Sequence, residues 1–325
     1  MPHSVYAFSD EQHFSQLHSN TIESFWLSRQ EGHFNGVNNT KIRWISLTKD
    51  QNKKVMIVVN GRAESYWKYQ ELFYDLSQQG YDIYALDHRG QGMSDRLVSD
   101  HQLGHIDEFD HYVADLKQFI ETVVHPEKYK IRHILAHSMG GAVVSLYLSQ
   151  FTHCIQKAVL SAPMHGIYLK PWLKSIAFPL ARISDYFYDD PTYAMGQQPY
   201  INRPFQHNKL TNSAIRYQWF RELYEQKPEL KLGGPSARWV WQAINAAERC
   251  RDHAINIEIP LLILQGGADD VVDNQAHQQF YQTMQNAKRD CHLTVIPSAK
   301  HELLFEEDRY RYKALEAAFA FFSSK

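Results

Sequence analysis

Ala136-His137-Ser138-Met139-Gly140-Gly141 follows the short apolar run His133-Ile134-Leu135 and opens a helix-like stretch through Ala142, Val143, Leu146 and Leu148. A serine set between a buried strand and a helix, with a small residue two positions to either side, reads as a nucleophile elbow. So sharp a turn strains the serine backbone, and a bulky neighbour at either flanking position would clash. Gly140 meets that demand on one side. On the other, Ala136 stands where glycine is usual and adds one methyl group. The turn lifts the Ser138 hydroxyl clear of the sheet and aims the first helix N–H groups at it. His137 is expected to face away, because such a turn exposes only its central residue.

A lone serine is a poor nucleophile. It needs a histidine to take its proton and a carboxylate to hold that histidine. Ile259 to Gln265 reads as a buried strand that breaks at Gly266-Gly267-Ala268-Asp269-Asp270-Val271-Val272. His292 to Ile296 reads as the next strand, followed by Pro297-Ser298-Ala299-Lys300-His301-Glu302. Asp269 and His301 thus fall in loops after consecutive strands, in the order serine, acid, histidine. Asp270 and Asp273 compete for the acid role. Asp269 is preferred because it comes earliest, after two glycines; Asp270 can be solvated, and Asp273 can cap a helix beginning near Asn274. An oxyanion hole needs two main-chain donors. One is the N–H of Met139, next to the serine. The other is placed after the early strand Val55 to Val59, in Asn60-Gly61-Arg62-Ala63-Glu64-Ser65, at the N–H of Arg62. Losing such a donor costs about 3–4 kcal/mol of transition-state stabilisation. Replacing the Arg62 side chain would leave that donor in place.

Strand-like runs at 42–47, 55–59, 82–86, 133–136, 157–161, 261–265 and 292–295 alternate with helical patterns at 67–79 and 109–123. This rhythm argues for an α/β fold, a mostly parallel central sheet with helices on both faces. Between Ser161 and Ile259 it stops. The chain is accordingly divided into a first core part (1–163), an inserted helical cap (164–250) and a second core part (251–325). Trp172, Ile176 and Leu180 share one helical face there, as do Phe220 with Tyr224 and Val240 with Ile244. Such faces are expected to pack onto the domain below and to roof an apolar acyl tunnel. A long chain requires one, since each buried CH₂ contributes only ~0.8 kcal/mol. The cap is also basic: Lys170, Lys174, Arg182, Arg203 and Arg221 are among cations that outnumber its acids. Such cations suit a substrate phosphate or an anionic membrane surface.

Asn60-Gly61-Arg62-Ala63-Glu64, Asp87-His88-Arg89-Gly90-Gln91-Gly92-Met93-Ser94, the elbow, and the Asp269 and His301 loops together resemble the monoacylglycerol lipase and lysophospholipase branch of the α/β-hydrolases. Asn60 stands where most relatives have histidine. Gly61 to Ser65, Ser161-Ala162-Pro163-Met164 and Gly233-Gly234-Pro235-Ser236 with Trp239-Val240 are similar to the bacterial PldB-type lysophospholipases. The resemblance runs from about Phe34 to His301. It implies a serine hydrolase that cleaves the acyl ester of lysophospholipids, with monoacylglycerol lipase or general carboxylesterase as the alternative. It implies Ser138, Asp269 and His301 as catalytic residues, no cofactor or metal, and acyl transfer when an alcohol reaches the acyl-enzyme before water.

Composition is consistent with this reading. With 34 Lys and Arg against 36 Asp and Glu, the net charge of −2 implies no nucleic-acid partner. The three cysteines, Cys154, Cys250 and Cys291, form neither a disulfide frame nor a zinc spacing and point to a reducing compartment. The amino terminus lacks a signal-peptide pattern, and no run approaches the ~20 apolar residues of a spanning helix. The expectation is a cytoplasmic protein that touches the inner membrane face at its periphery.

Overall fold

The computed structural model describes residues 6–49, 51–168, 176–187 and 190–324. Eight strands form one sheet: β1 (Gln30–Asn35), β2 (Lys41–Leu47), β3 (Lys54–Val59), β4 (Tyr81–Leu86), β5 (Ile131–His137), β6 (Lys157–Ser161), β7 (Leu261–Gly266) and β8 (Cys291–Ile296). Their spatial order is β1-β2-β4-β3-β5-β6-β7-β8. The β1–β2 and β2–β4 pairs are antiparallel and the remaining pairs parallel. The inner strands carry apolar runs such as Val55–Val59 and Leu261–Leu264 because both faces are covered. Val55, Ile57 and Val59 point into a layer that includes the helices Asp110–Phe119 and Met139–Gln150. Met56 and Val58 point the other way, against the helices Gln70–Gln78 and Asp308–Ser323.

Strand β1 is an addition to the sequence reading. Gln30-Glu31-Gly32-His33-Phe34-Asn35 has no apolar alternation to betray it. It forms an edge, where polar side chains are the usual defence against pairing with another chain.

Register decides where the site lies. Val59 pairs with Ala136 across β3 and β5, and Gly266 pairs with Ile296 across β7 and β8. The loops after these strands therefore leave the sheet along one carboxyl edge, where open α/β sheets place their ligands.

Between β6 and β7 the described residues form the helices Ala177–Phe187, Ala214–Gln226 and Ala237–Asp252, with isolated bridges from Ile167 to Val272 and Tyr193 to Ser236. Ser213 and Ser236 cap the latter two helices by accepting the N–H groups of Arg216 and Trp239. The helix Ala237–Asp252 reaches well into the core. Ala243, Ala246 and Cys250 pack with the elbow helix, so its last turns belong to the sheet layers even though the sequence division assigns them to the cap. The helix Ala177–Phe187 departs from the expectation that apolar faces pack downward. Leu180, Ile183 and Tyr186 are 37%, 55% and 85% exposed, and Ile176 before it 45%. Ala181 is buried, and the helix is held sideways by Arg238 to Asp185 at 2.9 Å and by Phe178 against Trp241. Trp172, Lys170 and Lys174 lie outside the described residues.

A buried ionic cluster fastens the insertion to the core. Arg216 gives Glu71 two hydrogen bonds of 2.8 Å, Asp308 one of 2.8 Å and the Glu306 carbonyl one of 2.7 Å. Arg311 reaches Asp75 at 2.6 Å in the same cluster. The two guanidinium groups hold the Glu71 carboxyl down at about 2 against the upward push of burial. All three cysteines are free. Among the described residues no helix is long and apolar enough to cross a membrane.

Candidate active site

Strand β5 delivers Ser138 into a backbone conformation of φ 51° and ψ −118°, a strained one for any residue with a Cβ. The close approach of the elbow helix to β3 requires Gly140, since a Cβ there would fall on the carbonyl oxygens of Val59 and Asn60. Ala136 is fully buried in the core and its single methyl is accommodated.

The loops after β7 and β8 bring Asp269 and His301 to this serine. His301 Nε2 lies 2.9 Å from Ser138 Oγ, and His301 Nδ1 lies 2.8 Å from Asp269 Oδ2. The other oxygen of Asp269 accepts the N–H groups of Val271 and Val272 at 2.7 and 3.1 Å. Burial opposes the Asp269 charge, but His301 and these two amides outweigh it and hold its carboxyl below the usual value. Asp270 is exposed and lies 3.8 Å from Lys209, while Asp273 caps the helix Asn274–Asn286 through the Gln275 N–H. Neither competing acid contacts His301.

Among the described residues, the N–H groups of Arg62 and Met139 donate to no protein acceptor. Gln91 braces the loop that carries Arg62: its Nε2 donates to the carbonyls of Gly61 and Glu64, and its Oε1 accepts from the Ala63 N–H. Asn60 turns to Asp87 at 3.0 Å. The Asp87–Ser94 segment is thus a strut beneath the loop rather than a ligand cradle.

The serine aminopeptidase S33 family profile matches residues 50–308. The chain belongs to this family. It is 37% identical to the probable lysophospholipase L2 of Haemophilus influenzae over 310 residues, spanning 94% of this chain and 96% of that protein. It is 36% identical to lysophospholipase L2 of Escherichia coli strain K12 over 318 residues, 96% of this chain and 93% of that one. Among solved structures, a soluble variant of monoglyceride lipase from Saccharomyces cerevisiae in complex with a substrate analogue superposes with a TM-score of 0.69 at 18% identity. It covers 90% of this chain and 95% of its own, a likeness of fold. The fold is the α/β-hydrolase fold.

In this S33 chain one feature escaped the sequence reading. The partners of His137 could not be read from the turn it sits in. His137 is buried, with Nδ1 3.0 Å from Glu64 Oε2 and Nε2 3.4 Å from the His301 carbonyl. Glu64 Oε2 also accepts the Gly61 N–H and the Tyr69 hydroxyl, each at 2.6 Å. Lys68 bridges Glu64 at 2.9 Å and Glu302 at 2.5 Å. This cluster ties the loop after β3 to the loop after β8, so the segment carrying Arg62 and the segment carrying His301 are fixed relative to each other. Its signal was present, since Glu64 and Lys68 are one turn apart and Glu302 adjoins His301. The partner of Glu64, however, lies 73 positions away. A cavity of about 540 Å³ opens beside Ser138, with Phe220, Tyr224, Leu232 and Trp239 along its apolar wall. That volume is typical of a site for a small organic ligand. Among the described residues no group of side chains could hold a metal ion.

Proposed function

We propose that this protein is a serine esterase that removes the acyl chain from lysophospholipids, releasing fatty acid and glycerophosphodiester. The observation that carries the reading is the Asp269–His301–Ser138 chain of hydrogen bonds opening on a cavity with an apolar, aromatic wall, in a chain more than one-third identical to proteins named lysophospholipase L2. Ser138 Oγ attacks the ester carbonyl carbon while His301 Nε2 takes its proton. Asp269 holds the ring by Nδ1–H and offsets the imidazolium charge. The N–H groups of Arg62 and Met139 stabilise the oxyanion. On collapse the carbon–oxygen bond breaks, and the departing glycerol oxygen receives the proton from His301. The acyl group stays on Ser138. Water, deprotonated by His301, then attacks the acyl-serine, the fatty acid leaves, and Ser138 regains its proton. An alcohol in place of that water would give acyl transfer.

The division into core (1–163 and 251–325) and cap (164–250) fits this chemistry, since the cap supplies the aromatic wall of the cavity. The working location is the cytoplasm, in keeping with three free cysteines. Leu180, Ile183 and Tyr186, exposed on one helix, would touch the anionic inner surface of the membrane. Fatty-acid release from lysophosphatidylethanolamine and from monoacylglycerol, measured side by side, tests the reading. Wild type should favour the lysophospholipid, and Ser138→Ala should lower turnover by on the order of 10⁶. Preference for monoacylglycerol would move the function to a monoacylglycerol lipase or general carboxylesterase. Activity retained in Ser138→Ala would overturn the mechanism.

A further inference from the structure

The cavity beside Ser138 is lined by four cationic side chains, Arg62, Lys68, Arg203 and Arg221, and by two carboxylates, Glu64 and Glu302. Both carboxylates are bound to Lys68. Among the described residues, Arg62, Arg203 and Arg221 have no carboxylate partner.

Arg62 is held in place without being neutralised. Its Nη2 donates to the Gly233 carbonyl at 2.7 Å and its guanidinium lies 5.0 Å from the Trp239 ring, while its Nε is buried with no acceptor. Gly104 leaves room for it, since a Cβ there would strike the guanidinium. Arg221, on the helix Ala214–Gln226, repeats the pattern. It reaches the Tyr200 hydroxyl at 3.2 Å and lies 4.9 Å from the rings of both Tyr217 and Phe220, and its Nε likewise has no acceptor. The two belong to one wall. The Tyr200 N–H donates to the Gln102 side chain, the Gln102 carbonyl accepts the Gly233 N–H, and Gly233 holds Arg62. A cation withdrawn from water without a counter-charge is costly, and rigid guanidinium forks suit an oxygen-rich anion.

The reach of Arg62 selects among anions. Its main-chain N–H is the proposed oxyanion donor, and a fully extended arginine side chain reaches about 6 Å from Cα to its guanidinium carbon. Ordinary bond lengths put the phosphorus of an acylated glycerol phosphate about 7 Å from the ester carbonyl carbon. One arginine is therefore long enough to meet both the ester and the phosphate. We propose that the side chains of Arg62 and Arg221 form the phosphate subsite that receives the phosphodiester headgroup of the lysophospholipid. This rests on the esterase reading above and names the group that would set its preference.

Two measurements test it. The first compares kcat/KM for lysophosphatidylethanolamine with that for monoacylglycerol in wild type, Arg62→Met and Arg221→Met, with thermal unfolding to verify that each variant is folded. The ratio should fall ten- to hundredfold in each variant, the scale of a lost charge-assisted contact. The second is calorimetry on Ser138→Ala protein with glycerophosphoethanolamine, inorganic phosphate and glycerol. Glycerophosphoethanolamine should bind most tightly and glycerol not at all, and combining Arg62→Met with Arg221→Met should abolish binding. Equal loss on both substrates would make the arginines structural and overturn the subsite, as would binding that survives in the double variant. Inorganic phosphate binding as tightly as glycerophosphoethanolamine would reassign the wall to free phosphate. A wild type that releases no fatty acid from lysophosphatidylethanolamine would overturn the esterase reading, and the calorimetry would still decide the subsite.

Discussion

Replacing Glu64 by glutamine should weaken the fold and the catalytic loop together. Glu64 Oε2 accepts three donors, from Gly61, Tyr69 and His137, and Oε1 accepts Lys68. A glutamine has one acceptor end and one donor end, so its NH₂ must face either the Lys68 ammonium or the three donors. Removing one partner of a buried ion pair costs about 3–5 kcal/mol. Lys68 keeps Glu302, so the lower end, about 3 kcal/mol, is expected. Gly61 precedes Arg62, and loosening it should lower kcat about tenfold, less than the ~10²–10³ of deleting an oxyanion donor outright. Urea unfolding followed by tryptophan fluorescence measures the first effect, and hydrolysis of a short ester the second. The stability gap should also depend on pH. Burial raises the Glu64 carboxyl, but Lys68, His137 and Tyr69 overcome it and hold its pKa well below the ordinary value. A depressed native pKa contributes stability that is complete above the unfolded pKa, near ~4.3, and is lost as pH falls through the native value. Against the downward push of burial, Glu64 also holds the His137 pKa up, a contribution lost as pH rises through that raised value. The gap between wild type and variant should therefore be widest between about pH 5 and the His137 pKa, and should narrow in acid. A gap under about 1 kcal/mol at neutral pH, or one that does not narrow, would refute the reasoning.

Arg216→Met should cost about 3–5 kcal/mol in urea unfolding, because Glu71 would keep its burial and lose its nearest cation. The acid assignment separates into three variants. Asp269→Asn should lower kcat about 10⁴-fold by disturbing the His301 tautomer, whereas Asp270→Asn, exposed beside Lys209, should leave kcat within about twofold and stability within about 0.5 kcal/mol. Asp273→Ala should cost about 1 kcal/mol of stability through the lost helix cap and leave the ester kinetics near wild type. A large kinetic loss at Asp270 or Asp273 with a small one at Asp269 would reverse the assignment.

What the sequence disclosed and what it hid follow from how far each signal extends along the chain. The elbow, the two later loops and seven of the strands are written in runs of a few adjacent residues, where periodicity and small-residue spacing suffice. Strand β1 was hidden because an edge needs no apolar alternation. The expectation that the face of Trp172, Ile176 and Leu180 packs downward fails at Ile176 and Leu180 for a different reason. The four-residue apolar spacing specifies amphipathicity, but which neighbour covers it is a matter of tertiary arrangement. The Glu64–Lys68–Glu302 cluster was hidden by distance. Lys68 and Glu302 are 234 positions apart and only the register of the sheet brings them together. The partners of His137 were hidden with it, since Glu64 is 73 positions away.

That cluster and the strained serine make complementary demands. Ser138 holds an unfavourable backbone conformation, which persists only where surrounding contacts over-determine it. The elbow helix supplies part of that constraint through Gly140. More comes from neighbouring segments: the Ser138 N–H donates to the Ser161 carbonyl, the Met164 N–H donates to the Ser138 carbonyl, and His137 is pinned to Glu64 on one side and to the His301 carbonyl on the other. The residue before the proposed nucleophile is thereby joined to the loop bearing the proposed oxyanion donor and to the one bearing the proposed base. A displacement of any of the three is resisted by a buried, charge-assisted network rather than by apolar packing alone. The Arg62 side chain extends the same logic outward. Its main chain is braced by Gln91 and the Glu64 turn and its guanidinium by Gly233 and Trp239, so the proposed phosphate subsite would be held in place relative to the proposed oxyanion donor. Discrimination by such a subsite would act on the phosphate that a lysophospholipid carries and a monoacylglycerol lacks, and so would separate the two without altering the chemistry at Ser138.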